Sequence, residues 1–125
     1  MNERAADLLS RARRALQTAE TIHAEGDYDA AASRAYYAAF YAVSALLALE
    51  GKYFKKHSAV RAALHRDLIS TDRLPASIGP AYDTLDAFRN TGDYGGIEHV
   101  TAEQAAEAVE AARRTLDAVN RCLPS

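Results

Sequence analysis

The sequence predicts an all-α protein, an antiparallel bundle of about five helices with a four-helix up-and-down core. Alanine, leucine, arginine and glutamate dominate the 125 residues, and β-branched residues are sparse, which favours helices over strands. Residues 33–49, SRAYYAAFYAVSALLAL, carry no charge after Arg34 and are apolar on every side of a helical projection. Such a helix belongs in the middle of a bundle. A chain of this length is expected to form a single helical domain over residues 1–125.

Charge, hydropathy and cysteine content predict the cellular setting. The formal net charge of -2 argues against a protein that coats nucleic acid through bulk electrostatics, although a local basic patch is compatible with it. The apolar run is shorter than the roughly 20 residues that a membrane helix needs, and it contains Ser44 and three tyrosines. Cys122 is alone, so an internal disulfide is excluded. The N-terminus lacks the apolar core of a signal peptide. We therefore expect a cytoplasmic protein that makes no membrane contact.

The first 50 residues predict two helices joined by a tight turn. The first helix is expected from about Asn2 to Ala24, because leucines, alanines and an isoleucine recur on one stripe. Gly26 suits a left-handed position after a helix, and Asp27 can accept hydrogen bonds from the free amides of the next helix. The two helices are therefore predicted to be antiparallel neighbours, and the second helix ends at Gly51.

The segment after the second helix has the most unusual charge pattern. Residues 51–66, GKYFKKHSAVRAALHR, contain five Lys or Arg residues and no acid. A third helix is expected from about Ser58 to Ser70, with Ser58 as one choice of N-cap. Free amides in a first helical turn attract anions, so Lys55, Lys56 and Ser58 are candidate phosphate or RNA contacts. The alternative is that these lysines belong to an ordinary solvated loop.

Two more helices complete the predicted bundle. The fourth is expected to begin between Pro75 and Pro80, because proline is accepted in a first helical turn. The consecutive glycines at 95–96 are expected to end it. Thr101 followed by Gln104 is a capping-box pattern, and it predicts the start of the last helix.

Three stretches together resemble a known family. They are GDYDAAASRAYYAAFYAVSALL at the second helix, the lysine-rich loop that ends in His57, and RNTGDY from Arg89 to Tyr94. The combination resembles the HEPN domain, specifically its short stand-alone prokaryotic branch, over nearly the whole chain. The resemblance implies an antiparallel helical bundle, a homodimer, and a minimal nucleotidyltransferase encoded beside it as the antitoxin of a toxin. Active members are metal-independent endoribonucleases, in which an Arg-x4-6-His motif from each of two domains meets at the dimer interface.

The histidine of that motif is missing here. Counted from Arg89, the histidine window covers Tyr94, Gly95 and Gly96, and His99 lies beyond it. Arg89 can still serve as the phosphate-binding cation, since a guanidinium offers paired donors to phosphate oxygens. Tyrosine, with an ordinary pKa of about 10, is a poor base for taking the proton of a 2′-hydroxyl. Whether the protein is an enzyme therefore stays open on the sequence alone.

The candidate catalytic residues are Arg89, Tyr94, His57 and His99, and each has a structural alternative. Arg89 and Asp93 are spaced i,i+4, so they could form a surface ion pair. Tyr94 is either a core tyrosine or, by the resemblance, a residue that a nucleotidyltransferase modifies. His57 is either a phosphate contact or a loop residue bonded to a carbonyl. His99 either packs against the glycine turn or reaches towards Arg89.

Other conspicuous side chains are interpreted as structural. His23 and His65 are expected on helix surfaces. The aromatic cluster of the second helix is most simply core packing, with base stacking as the secondary interpretation; its members are Tyr36, Tyr37, Phe40 and Tyr41.

Two function classes follow. The first is a toxin-type protein that binds RNA or a nucleotide at a homodimer cleft and cleaves RNA without metal. The second is a non-catalytic nucleotide-binding or adaptor subunit for a minimal nucleotidyltransferase. Neither function requires a cofactor, and no metal-ligand spacing is present in the sequence. A homodimer is also expected because a core helix that is apolar all round has more surface than four neighbours readily cover.

Overall fold

The computed structural model describes residues 1–124, which form helices joined by short turns. The helices are α1 (Glu3–Ala24), α2 (Tyr28–Leu49), α3 (His57–Ala63), α4 (Ile78–Tyr94) and α5 (Ala102–Arg121), and α3 continues directly into a π-helical segment, Leu64–Ile69. Among the described residues there is no strand. The predicted all-helical class is therefore confirmed. None of the helices in residues 1–124 combines the length and apolarity needed to cross a bilayer.

The turn between α1 and α2 has the predicted chemistry. Gly26 has a φ of 87°, in the left-handed region that glycine enters without a steric penalty. The Asp27 side chain accepts a hydrogen bond from the Ala30 amide over 3.2 Å and so caps α2. At the other end of α1, Asn2 accepts from the Ala5 amide over 2.8 Å. The turn at Gly26 and Asp27 brings α2 back along α1 as its antiparallel neighbour.

The start of α3 differs from the prediction. The helix begins at His57 and Lys56 occupies the N-cap position without a side-chain cap bond, so Ser58 is not the N-cap. Ser58 lies instead in the first turn of α3. The sequence also carried no signal for the π-helical widening at Leu64–Ile69, because such widening depends on packing rather than on local propensity.

The last two helices follow their predicted signals. α4 begins at Ile78, between the two prolines, and Gly95 caps its end. Thr101 and Gln104 make both hydrogen bonds of the capping box at the start of α5. Gly92 allows α4 to approach α2 closely, because a Cβ there would lie 3.0 Å from the Asp29 carbonyl oxygen.

The central helix α2 packs against α1, α4 and α5 and contributes twelve buried residues to the core. Many of these residues are alanines, which let helix backbones approach closely without leaving cavities. Its neighbours therefore cover most of its surface. What they leave half-buried is one strip along the helix, formed by Arg34, Tyr37, Phe40, Tyr41 and Ser44.

Enlarging a buried alanine of α2 tests this packing. Ala39 is 0% exposed, so Ala39→Leu should lower the free energy of unfolding by about 1–3 kcal/mol through overpacking. Ala106 is exposed on α5, and Ala106→Leu is the matched control. Urea unfolding followed by circular dichroism measures both. Equal stability of the two variants would contradict the close packing of α2.

Candidate functional site

A cavity of about 450 Å³ lies between α2, α3 and α4, and we call it the α3 pocket. Its walls combine aromatic, cationic and acidic side chains. The lining residues are Tyr36, His57, Ser58, Arg61, Ala62, His65, Tyr82, Asp86 and Arg89. A concave site with a few convergent polar groups is the usual form of a ligand site.

One face of α3 and its π-helical continuation supplies three of the ionisable groups. His57, Arg61 and His65 follow each other at four-residue intervals, so they share one side of the helix. All three line the α3 pocket. The interpretation of His65 as an ordinary surface residue missed this, although the spacing His-x3-Arg-x3-His was a readable signal.

Arg89 enters the pocket from α4 and is held on two sides. Its guanidinium carbon lies 4.5 Å from the centroid of the Tyr36 ring, a cation–π arrangement. Nη2 donates to Asp86 Oδ1 over 2.9 Å. The alternative of an ion pair between Arg89 and Asp93 is wrong, because the carboxylate that Arg89 contacts is Asp86, three residues before it on α4. The Arg89 side chain is 11% exposed, and its Nε is buried without a hydrogen-bond partner in the described chain.

His57 is the first residue of α3 and lies among aromatic rings. Its Nδ1 lies 3.1 Å from the Tyr36 hydroxyl oxygen, and its ring centroid is 4.5 Å from that of Phe40. Burial and the nearby positive charge of Arg89 lower the pKa of His57 below its ordinary value of 6.5. His57 is therefore neutral at pH 7 and available to accept a proton.

The second cation of the pocket is held by two carboxylates. Arg61 Nε donates to Asp83 Oδ1 over 2.9 Å, and its Nη1 lies 3.9 Å from Asp86 Oδ2. His65 Nε2 lies 3.4 Å from the same Asp83 oxygen. Arg61 and Arg89 are thus matched by Asp83 and Asp86. The charges of these four side chains sum to zero.

Two tyrosines form the inner wall. Tyr82 is fully buried, and its hydroxyl has no hydrogen-bond partner among residues 1–124. Burial raises the pKa of both Tyr82 and Tyr36, so neither phenol can act as a base. A buried polar group without a partner costs about 1–3 kcal/mol. The Tyr82 hydroxyl and Arg89 Nε are therefore unpaired donors that solvent does not reach in this structure.

The remaining predicted site residues lie outside the α3 pocket. Tyr94 is 74% exposed at the end of α4. His99 Nδ1 lies 2.7 Å from Asp29 Oδ2, at the start of α2. Lys55 lines a different cavity, between α1, α2 and α3, and Lys56 is exposed. Of the catalytic candidates, the pocket brings together Arg89 and His57, with Ser58 beside them, and their roles stay predictions.

The chemical capacity of the α3 pocket follows from its groups. It holds a neutral imidazole, two guanidinium groups and buried hydroxyl groups, so it can bind an anion and accept a proton from it. Within the part of the chain that the structure describes, no three His, Cys, Asp or Glu side chains are grouped to hold a metal ion. Sequence reasoning missed Tyr36, Arg61 and Asp86 as lining residues, because each comes from a different helix.

Comparison with known sequences identifies relatives over most of the chain. Residues 5–122 match the family model described as HEPN domain. A UPF0332 protein of Thermotoga maritima is 35% identical over 113 residues, which is 90% of this chain and 86% of the relative. A protein of Methanocaldococcus jannaschii named "Putative toxin MJ0142" is 32% identical over 98 residues, which is 78% of this chain and 67% of the relative.

Comparison with solved structures finds the same helical arrangement. The crystal structure of TT1696 from Thermus thermophilus superimposes with a TM-score of 0.83 at 28% identity, covering 98% of this chain and all of that one. The structure of ST0689, an archaeal HEPN homologue, gives a TM-score of 0.73 at 24% identity and covers 96% of this chain and 98% of that one. The second likeness is one of fold.

Asp29 ties the segment after α4 to the start of α2. Its Oδ1 accepts from the Val100 amide over 2.7 Å, and its Oδ2 faces His99. Burial alone would raise the pKa of Asp29, but the Val100 and His99 hydrogen bonds outweigh it and lower the pKa below 3.8. The contribution to stability is therefore present above pH 3.8 and is lost as the pH falls through the lower folded-state pKa.

Removing this carboxylate should destabilise the protein in a pH-dependent way. At about pH 6, Asp29→Ala should lower the free energy of unfolding by about 1 kcal/mol, because a charge-assisted hydrogen bond is lost. The difference from wild type should shrink below pH 3.8. Asp93 is exposed, and Asp93→Ala is the control. Thermal unfolding at both pH values measures the effect, and a difference that does not change with pH would refute the assignment.

Proposed function

This chain belongs to the HEPN domain family, and from that premise we propose that it is the toxin-type component of a toxin–antitoxin pair, which binds RNA in the α3 pocket and cleaves it. The observation that carries the proposal is that His57 from α3 and Arg89 from α4 pack on the same Tyr36 ring. The archaeal relative with the word toxin in its name supports the same function.

His57 supplies the base that the window after Arg89 lacks. The neutral imidazole accepts the proton of a ribose 2′-hydroxyl, and the 2′-oxygen then bonds to the adjacent phosphorus. The bond from phosphorus to the 5′-oxygen breaks, and that oxygen takes up a proton from the surrounding water, to which His57 then releases its own. Arg89 balances the charge that develops on the phosphate oxygens. The products are a 2′,3′-cyclic phosphate and a 5′-hydroxyl, and no metal ion enters the step.

The charge balance of the α3 pocket indicates how much negative charge its ligand carries. Asp83 and Asp86 already compensate Arg61 and Arg89, so the pocket does not hold the excess positive charge that a triphosphate requires. A single phosphodiester, with one negative charge, suits it better.

Substitutions at the two key residues separate binding from chemistry. Arg89→Ala should weaken RNA binding at least about tenfold, because a desolvated cation is lost. His57→Ala should leave affinity almost unchanged and slow cleavage by about 100-fold or more. Fluorescence anisotropy and gel analysis of a labelled RNA, both with EDTA present, measure these effects.

The control and the pH profile sharpen this test. Arg121 lies in the last turn of α5, and Arg121→Ala should change neither quantity. Because the pKa of His57 is lowered, cleavage should fall only as the pH drops below 6.5, when the imidazole takes up a proton. Full cleavage by His57→Ala would refute the assignment of the base.

The alternative function is a non-catalytic nucleotide-binding or adaptor subunit for a minimal nucleotidyltransferase. The observation that favours it is Tyr94, which stands in the histidine window with its side chain 74% exposed and is accessible to a partner enzyme. In this case no cleavage occurs at any protein concentration, and Arg89→Ala weakens nucleotide or partner binding. Mass spectrometry after co-expression with a nucleotidyltransferase would then find Tyr94 modified.

We propose that the protein forms a homodimer through the end of α4. Tyr94 and Ile97 are large apolar residues, 74% and 96% exposed, on the segment that follows Arg89. Exposed apolar side chains of this size are typical of an interface, and a two-fold axis there would bring two α3 pockets towards each other.

The oligomeric state tests this proposal. Size-exclusion chromatography with light scattering should give twice the 13.6 kDa chain mass for wild type. Ile97→Asp should give the monomer mass, because it buries a charge at the interface. Asn120 is exposed on α5, and Asn120→Asp should remain dimeric. A monomeric wild type at micromolar concentration would overturn the proposal.

A further inference from the structure

A further concave surface runs between α1 and α2. We call this cavity of about 250 Å³ the α1–α2 groove. It is rich in arginine and contains no acidic lining residue; the lining residues are Arg11, Arg14, Ala15, Thr18, Arg34 and Tyr41. The function proposed for the α3 pocket does not use this surface.

The positive charge of the α1–α2 groove is largely uncompensated. Arg11 is paired with Asp7 on the same helix over 2.9 Å. Arg14 and Arg34 form no ion pair with any residue in 1–124. The groove therefore differs from the α3 pocket, where carboxylates balance both arginines, and its excess cations attract a polyanion.

Aromatic rings lie beside the arginines in and near the α1–α2 groove. The Arg34 guanidinium carbon lies 4.9 Å from the centroid of Tyr37. Towards the N-terminus of α1, the Arg4 guanidinium carbon lies 4.8 Å from the centroid of Tyr53. Arg4 and Arg14 are ten residues apart on one helix, so the cations extend over about 15 Å. That length suits a strand of several nucleotides rather than a mononucleotide.

The half-buried strip of α2 links this surface to the α3 pocket. Tyr37, which contacts Arg34 on the groove side, has its ring centroid 5.6 Å from that of His57. Phe40 lies 4.5 Å from His57, centroid to centroid, and also lines the cavity that contains Arg4 and Lys55. A chain lying in the groove can therefore cross the strip and reach the proposed base.

We propose that the α1–α2 groove is a track for single-stranded RNA, which makes a polymer, and not a free nucleotide, the substrate of the α3 pocket. This inference rests on the proposed function for the cleavage of the bound RNA in the α3 pocket. Unpaired cations bind successive phosphates, and the ring edges of the half-buried Tyr37 and Tyr41 and of the 54% exposed Tyr53 offer aromatic surface to unpaired bases. Cations beside aromatic rings are the combination that single-stranded nucleic acids require. A duplex hides its base faces and cannot use the rings.

A second copy of this chain fits the groove less well than RNA does. A two-fold axis through the groove would set the same patch against itself, so Arg14 and Arg34 of one copy would face the like charges of the other. Like charges at an interface oppose association. The charge of the groove therefore favours a polyanionic partner over self-association at this face.

Binding of an uncleavable strand tests the track. The probe is a fluorescein-labelled 2′-O-methyl oligouridylate of roughly 12 nucleotides, whose blocked 2′-oxygens cannot attack phosphorus. Arg14→Glu combined with Arg34→Glu should weaken binding at least tenfold and lower the slope of log affinity against log salt by about 1.4, since two phosphate contacts are lost. Arg14→Gln with Arg34→Gln should give a smaller loss, and circular dichroism checks that both variants fold.

A charge-matched control isolates the groove from the overall charge. Arg13 lies on α1 outside the groove lining, and Arg13→Glu with Arg121→Glu makes the same change in net charge. This control should bind almost like wild type. The track would be overturned if the Arg13→Glu with Arg121→Glu variant lost as much affinity as the Arg14→Glu with Arg34→Glu variant. It would also be overturned if a duplex bound as tightly as the single strand and depended equally on Arg14 and Arg34. A change in oligomeric mass caused by Arg14→Glu with Arg34→Glu would assign the groove to self-association instead.

A short substrate distinguishes failure of the track from failure of the proposed function. The dinucleotide uridylyl-adenosine reaches the α3 pocket without spanning the groove. Its turnover should stay within twofold in the Arg14→Glu and Arg34→Glu variant, while Arg89→Ala should abolish it. If Arg89→Ala weakens oligomer binding and the Arg14→Glu with Arg34→Glu variant does not, the track is refuted and the proposed function stands. Dependence on the groove without dinucleotide turnover refutes the cleavage and leaves the track.

Discussion

The arrangement of the site depends on one aromatic ring. Tyr36 is almost completely buried in α2, and its ring has Arg89 at 4.5 Å from the centroid and His57 at 5.6 Å, centroid to centroid. The ring attracts the guanidinium through its electron-rich face, while its hydroxyl lies within hydrogen-bond distance of the imidazole. Because α2 is packed on several sides, the Tyr36 ring is itself fixed. It therefore positions Arg89 and His57, which come from two other helices.

Charge balance divides the surface into two regions with different uses. In the α3 pocket each arginine has a carboxylate partner, so the guanidinium groups are positioned by hydrogen bonds and the pocket carries no net charge. In the α1–α2 groove, Arg14 and Arg34 have no such partner among the described residues. Fixed geometry suits a site that orients a reacting phosphate. Free charge suits a surface that attracts a polyanion from solution.

The aromatic cluster of α2 serves both the core and the surface. Tyr36 packs inside and forms the wall of the α3 pocket, while Tyr37, Phe40 and Tyr41 are half-buried on the strip that the other helices leave uncovered. Core packing was the simplest interpretation of all four rings. The structure divides them by the direction in which each leaves the helix, since neighbouring residues on α2 point about 100° apart.

Local chemistry in the sequence determined the helices and their ends. Gly26, Asp27 and the Thr101–Gln104 box act through neighbouring backbone groups, so their effect could be predicted without the fold. Arg89 and His57 were also identifiable, as was the absence of a histidine from the window after Arg89. Only tertiary structure brought those two residues to one ring, paired Arg89 with Asp86, and added His65. The reason is physical: contacts between helices depend on how deeply α2 is packed and how α3 widens, and residue order along the chain does not specify either.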